Sequence, residues 1–199
     1  GRNRAWGGFS PEGALPSAGS LSIVVGNKPR TLLAEYGADG SVRHTHDPPW
    51  QPDPSQAIPE DKMAGSLDPL SGALLVGMSG DTACDKTVPS NDGKRRIDIL
   101  LRHVATESPA KAGIPLAKDD LLVCEIYTKR IAGEFYDAPA EAESKREAPM
   151  KLWLGRFDST PFRYPAKLEA KTGFGTIRGK TLFFRELPLS DAEKAAMGR

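Results

Sequence analysis

Hydrophobic and polar residues alternate along most of this chain, and a period of two is typical of β-strands that bury one face. The segment 161–171 is the clearest case, because one side of it is apolar at every position: Phe162, Tyr164, Ala166, Leu168 and Ala170. Similar runs predict a meander over 20–44 and strands at 92–102, 120–135, 150–157 and 173–187. The pattern therefore predicts a mainly β, antiparallel protein whose sheet has one dry face and one wet face.

The strongest turn signal is Asn91-Asp92-Gly93, because Asn and Gly adopt positive φ at little cost. In the strand that follows, Arg96 and Asp98 share one face, and the other face is apolar (Ile97, Ile99 and Leu101). We expect the charged face to lie in solvent and to carry salt bridges. In the alternative interpretation, Arg96 and Asp98 form a polar or anion-binding site.

One helix is predicted in the middle of the chain, beginning after Asp68. The Asp68 carboxylate can accept a hydrogen bond from a first-turn amide, and Pro69 fits the next position. Large apolar residues then recur at helical spacing and form a stripe: Leu70, Leu74 and Met78. We expect this stripe to pack on the sheet. Alternatively, together with Trp153, it lines a cavity for an apolar ligand.

The other segments complete a single predicted domain over residues 1–199. Residues 1–19 are expected to form an extended arm, and the prolines of 47–66 to form a surface loop. The charged segment 138–149 is interpreted as a solvated excursion. A capping box predicts a short C-terminal helix over 190–199.

Composition and charge narrow the possible functions. The 27 basic and 26 acidic residues give a net charge of +1, which argues against nucleic acid as a partner, since nucleic-acid-binding surfaces are strongly basic. No apolar run reaches the roughly 18 residues of a membrane span. The first residue is Gly rather than Met, which suggests that a leader segment has been removed.

The two cysteines, Cys84 and Cys124, lie 40 positions apart and form no metal-binding or redox motif. Cys84 precedes the predicted hairpin, and Cys124 lies in a later strand whose apolar face it shares. We expect them to form a disulfide, which persists in oxidising compartments and therefore predicts export. Two buried free thiols are the alternative.

A search for catalytic motifs finds neither a nucleophile elbow nor a phosphate-binding loop. His44 and His46, with Asp47 adjacent, could bind zinc, but a fixed site needs further ligands and none is evident, so we predict no metal site. His103 is expected to be a hydrogen-bonded, partly buried residue. No catalytic residues and no cofactor are predicted, although a hydrolase built from scattered Asp, Glu and His residues is the enzymatic alternative.

The order of these motifs resembles that of bacterial domain-of-unknown-function family 3108. The shared motifs include GSLDPLSGALL, DGKRRIDILL, LLVCEIYTKRIAGEF, KLWLGRF and YPAKLEAKTGFGT, and the resemblance covers about residues 20–187. The most specific parts are 68–71 and 92–96, and paired cysteines fit one branch of the family. Ile97 and Gly72 depart from the pattern, where Tyr and Ala are expected.

The resemblance implies an exported envelope protein in which a curved antiparallel sheet packs around a helix. Such a sheet is similar to the half-barrels of periplasmic lipoprotein carriers. It also implies further strands upstream of residue 1, and it implies no activity. We therefore expect a non-enzymatic periplasmic protein that binds lipid or acyl chains, or a scaffold for envelope proteins. A protein–protein module that uses the proline-rich loop and Trp50 as an anchor is the other alternative.

Overall fold

The computed structural model describes residues 2–10, 13–49, 53, 56–133, 149–172, 175–185, 187–188 and 190–191. Within these ranges the strands are β1 (Arg2–Ser10), β2 (Gly13–Val25), β3 (Lys28–Tyr36), β4 (Val42–Asp47), β5 (Thr87–Asn91), β6 (Arg95–Glu107), β7 (Leu121–Gly133), β8 (Met150–Arg156), β9 (Arg163–Thr172) and β10 (Gly175–Lys180). The helices are α1 (Glu60–Met63), α2 (Pro69–Met78) and α3 (Pro109–Ala112), and a 3₁₀ turn covers Gly80–Thr82.

The strands form two antiparallel sheets, which confirms the mainly β prediction and corrects the expectation of one curved sheet. The N-terminal sheet has the order β1-β2-β3-β4, and the main sheet has the order β10-β9-β8-β7-β6-β5. Both are antiparallel throughout. Residues 1–19 are not an arm, because Arg2–Ser10 pairs along its whole length with β2.

Several predicted segments fall wholly or partly outside the described residues. Most of the predicted C-terminal helix (190–199) lies outside them, as do the charged segment 138–148 and Trp50. The predicted proline-rich loop over 47–66 overlaps regular structure at both ends, since Asp47 ends β4 and α1 lies at 60–63.

The main sheet is covered on both faces at its centre, so the prediction of one wet face is wrong there. Four successive residues of β7, 121–124, are all buried. One face carries the helix-side core: Val76, Ala83, Cys84, Val88, Leu101, Leu122, Cys124 and Leu154. The opposite face carries the loop-side core: Ala112, Ile114, Ala117, Leu121, Val123, Trp153, Phe157 and Ala166. The second face is dry because α3 and the residues after it fold back over the sheet.

The predicted disulfide between Cys84 and Cys124 is present, with a Cα–Cα distance of 5.2 Å. Both cysteines are fully buried in the helix-side core. Cys84 follows the 3₁₀ turn and precedes β5, so the bond fastens the chain just after α2 to the central strand of the main sheet.

The β5–β6 hairpin forms as predicted, but Arg96 does not face solvent. A register shift between Arg96 and Ile97 interrupts the alternation, and Arg96 is only 8% exposed. Its guanidinium donates to Asp98 Oδ1 at 2.8 Å and to the Lys62 carbonyl oxygen at 3.1 Å. The expected ion pair with Asp98 therefore exists, but it is sheltered and joins β6 to α1.

Candidate ligand-binding cleft

Helix α2 begins where the sequence predicts. Asp68 Oδ1 accepts hydrogen bonds from the amides of Leu70 at 2.9 Å and Ser71 at 3.1 Å, which satisfies two first-turn donors. Pro69 occupies the first helical position, where its missing amide costs nothing.

The face of α2 that looks onto the main sheet consists of small residues: Pro69, Gly72, Ala73 and Val76. At 3.6 residues per turn, the stripe of Leu70, Leu74 and Met78 is centred roughly 150° away from this face. The prediction that the stripe packs on the main sheet is therefore wrong. Leu74 instead lies beside the β1–β2 hairpin, near Trp6 and Leu15.

Small residues on α2 allow a very close approach to the main sheet. A Cβ atom added at Gly77 would lie 2.1 Å from the carbonyl oxygen of Arg163 on β9, which is too close for any side chain. A Cβ at Gly72 would lie 3.1 Å from Val88 Cγ1. The helix therefore rests backbone-to-backbone on β9.

Between α2 and the main sheet lies an apolar cleft of about 150 Å³. Its lining is apolar throughout: Pro69, Gly72, Ala73, Val76, Val88, Ile99, Leu101, Ile126, Leu152, Leu154 and Pro165. The cleft exists because Gly72, Ala73 and Val76 are too short to fill the space that a Leu or Phe would occupy. A space of this volume is large enough for a small apolar molecule.

Trp153 does not line this cleft, which corrects the alternative prediction that it joins the helix residues there. It lies on the opposite face of the main sheet, in the loop-side core. Its indole N–H donates to Glu107 Oε2 at 3.0 Å, and Lys167 Nζ lies 4.2 Å from the ring centroid. Trp153 is therefore a core residue with a satisfied donor.

The amino end of α2 is anchored to the N-terminal sheet through Tyr36 of β3. The Tyr36 hydroxyl donates to Asp68 Oδ2 at 3.0 Å and accepts from the Asp68 amide at 2.6 Å. Burial, reinforced by the Asp68 charge, raises the pKa of Tyr36 well above its usual range, so the hydroxyl remains a donor. Gly19 of β2 leaves room for the Asp68 carboxylate, since a Cβ there would lie 2.8 Å from Oδ2.

A second, larger and more polar groove of about 710 Å³ runs between β4 and residues 57–64. His44 and His46 line it together with charged residues that include Asp39, Arg43 and Glu60. Burial, with the neighbouring His46 as a second cause, lowers the pKa of His44, and burial also lowers the pKa of His46. Within the described part of the chain, no three His, Cys, Asp or Glu residues are grouped to hold a metal ion.

The histidines of this groove should make the fold sensitive to acid. Because the folded-state pKa of His44 is lowered, the unfolded chain binds the proton first as pH falls below about 6.5. Stability present at neutral pH is therefore lost on acidification. We expect the drop in Tm between pH 7.5 and pH 5.5, measured by circular dichroism, to be smaller in His44→Gln than in the wild type.

The matched control is His103→Gln, because His103 is exposed on β6 outside the groove. His103 was expected to be partly buried, but it is exposed, and its Nε2 lies 3.4 Å from Thr106 Oγ1. An equal acid-induced drop in Tm for His44→Gln and the wild type would show that His44 does not carry the effect.

Two arginines and two aspartates form an ionic cluster at one end of the main sheet. Arg156 lies 2.6 Å from Asp119 and 3.1 Å from Asp81, and Arg163 lies 2.8 Å from Asp81. Hydrogen bonding and charge from Arg163 lower the pKa of Asp81. Arg163 lies on the side of segment 161–171 that was expected to face solvent. That expectation is wrong, since its side chain is buried among these partners.

Sequence reasoning missed the residues that create the cleft. The sequence did contain a signal for them. Their spacing places them on one face of the helix, just as the spacing of the Leu stripe does: Pro69, Gly72, Ala73 and Val76. Tyr36 and Arg163 carried no such signal, because their partners are far away in the chain.

No protein-family model, curated protein or solved structure matches this chain. The resemblance to family 3108 therefore remains a prediction. Among the described residues, no helix combines the length and the hydropathy that crossing a membrane requires.

Proposed function

We propose that this chain is a non-enzymatic, exported protein of the bacterial envelope that binds an apolar ligand, such as the end of an acyl chain, between α2 and the main sheet. The observation that carries the proposal is the cleft itself. All eleven of its lining residues are apolar, and four of them come from one helix face.

The composition of that helix face supports binding rather than simple packing. A helix that only closes a core normally fills it with large side chains, because cavities are destabilising. Here the large side chains Leu70, Leu74 and Met78 point elsewhere, and small residues face the sheet. A ligand would supply the missing apolar contacts.

The buried disulfide supports the location. Such bonds form and persist in oxidising compartments, and the resemblance to family 3108 implies the same address. The periplasm is therefore the proposed compartment, and lipids or lipidated envelope proteins are the proposed partners.

The size of the cleft sets the expected affinity. Each buried methylene contributes about 0.8 kcal/mol, so about six methylenes contribute roughly 5 kcal/mol. That free energy corresponds to a Kd on the order of 0.1–1 mM. Octanoate is a suitable probe, since its chain has about this length and it stays monomeric at millimolar concentrations.

Binding is tested by titrating octanoate into the isotopically labelled protein and following methyl NMR shifts. We expect saturable shifts for Val76, Val88 and Leu154. Ala73→Leu should weaken binding at least tenfold and leave Tm unchanged or higher, because the added side chain fills the cleft. Ala110→Leu, at an exposed position of α3, is the matched control and should bind like the wild type.

Two results would refute the proposal. The first is that octanoate at 10 mM shifts none of the cleft methyls, and the second is that Ala73→Leu binds octanoate as tightly as Ala110→Leu. Native mass spectrometry of protein isolated from a bacterial periplasm adds an independent readout, since a co-purified acyl ligand should be lost in Ala73→Leu.

A further inference from the structure

The residues directly after β10 hold two large apolar side chains in solvent. We call residues 181–185 the apolar loop. Leu182 is 73% exposed and Phe183 is 82% exposed. Single exposed apolar residues are common, but two large neighbours at this level of exposure are a feature of interaction surfaces.

The apolar loop is fixed at both ends. At its start, the Thr181 amide donates to the Ala166 carbonyl oxygen at 2.8 Å, and Thr181 Oγ1 donates to that of Pro165 at 2.7 Å. At its end, the Phe184 ring lies 5.4 Å from that of Phe157 and 4.8 Å from that of Tyr164. Thr181 and Phe184 fix the chain on either side of Leu182 and Phe183, so these two side chains are held in solvent.

Positive charge surrounds the exposed pair. Residues 175–186 contain three cations, Arg178, Lys180 and Arg185, and one carboxylate, Glu186, although the whole chain has a net charge of only +1. Strand β10 is the edge of the main sheet, and each of its residues is exposed. Arg178 shares its carboxylate partner, Glu169, with Lys167, so the local excess of positive charge is only partly compensated.

We infer that the apolar loop and β10 dock onto an anionic lipid surface. Leu182 and Phe183 would enter the headgroup–acyl boundary, while Arg178, Lys180 and Arg185 would attract the negative surface. This surface is independent of the cleft, so the inference stands whether or not the cleft binds an acyl chain.

Charge complementarity selects this occupant over a second copy of the chain. Antiparallel pairing of β10 with itself about Gly179 would set Arg178 of each copy against Lys180 of the other, and like charges directly opposite on paired strands are destabilising. An acidic protein partner would satisfy the charges, and the experiment separates that case from a membrane.

The experiment is vesicle flotation with the full chain. Vesicles of phosphatidylcholine alone are compared with vesicles that contain 30% phosphatidylglycerol, at 50 mM and 500 mM NaCl. We expect binding to the anionic vesicles and a marked loss at high salt. Leu182→Ser/Phe183→Ser should weaken that binding at least tenfold, and Lys180→Gln/Arg185→Gln should weaken it by roughly tenfold or more.

The matched control is Val24→Ser/Leu116→Ser, which removes two exposed apolar residues elsewhere and should bind vesicles like the wild type. Circular dichroism confirms that each variant is folded. The inference is overturned if the control and the Leu182/Phe183 variant bind equally. It is also overturned if the protein ignores vesicles but forms dimers, or instead binds polyglutamate, through the same residues.

Discussion

Replacing both cysteines, in Cys84→Ala/Cys124→Ala, should lower the free energy of unfolding by about 4 kcal/mol. The bond closes a loop with a sequence separation of 40, and opening it restores conformational entropy to the unfolded chain. Alanine leaves only a small void at these two buried positions. Urea denaturation followed by circular dichroism measures the change, with oxidised and reduced wild type compared in parallel.

Reductant provides the internal control for this prediction. Dithiothreitol should destabilise the wild type by a similar amount and leave the double variant unaffected. Thiol titration of the unfolded, unreduced wild type should find no reactive thiols. Two reactive thiols there would remove both the predicted loss of stability and the main support for export.

Asp68→Ala should lower the free energy of unfolding by about 2–4 kcal/mol. It removes the α2 cap, which contributes about 1 kcal/mol, and leaves the half-buried Tyr36 hydroxyl without its carboxylate, at a further cost of about 1–3 kcal/mol. Tyr36→Phe should cost about 1–2 kcal/mol. Urea denaturation of both single variants and the double variant gives the coupling energy between the two residues.

Ser108→Ala is the matched control, because Ser108 caps α3 without contacting another sheet. It should cost no more than about 1 kcal/mol. Additive losses for Asp68→Ala and Tyr36→Phe would mean that the hydrogen bonds between them do not join the N-terminal sheet to α2.

Local features of this fold could be predicted from the sequence because neighbouring residues determine them. The Asp68 cap, the turn at 91–93 and the strands of the main sheet depend on propensities that operate over a few positions. The disulfide was also predictable, since only two cysteines are present. None of these features required knowledge of which strands pair.

Features set by distant partners could not be predicted. Residues 1–19 contain glycines and prolines that disfavour strands, yet residues 2–10 and 13–19 are held in a sheet by pairing between β1, β2 and β3. The Leu stripe of α2 was assigned to the wrong neighbour because the helix has a sheet on each of two sides. Arg96 was predicted to face solvent on the assumption that residues alternate strictly along the strand. The register shift next to Arg96 interrupts that alternation, and the hydrophobic pattern of the sequence does not reveal it.

The close contact between Gly77 and β9 also limits what the protein can accommodate. At that end the helix cannot approach the sheet more closely, because backbone touches backbone. It cannot move far away either, because a few residues later the chain is covalently tied to β7. At the other end Tyr36 clamps Asp68. The gap beneath α2 thus has a fixed height, so it should admit slender, unbranched molecules and reject bulky ring systems, whatever their hydrophobicity.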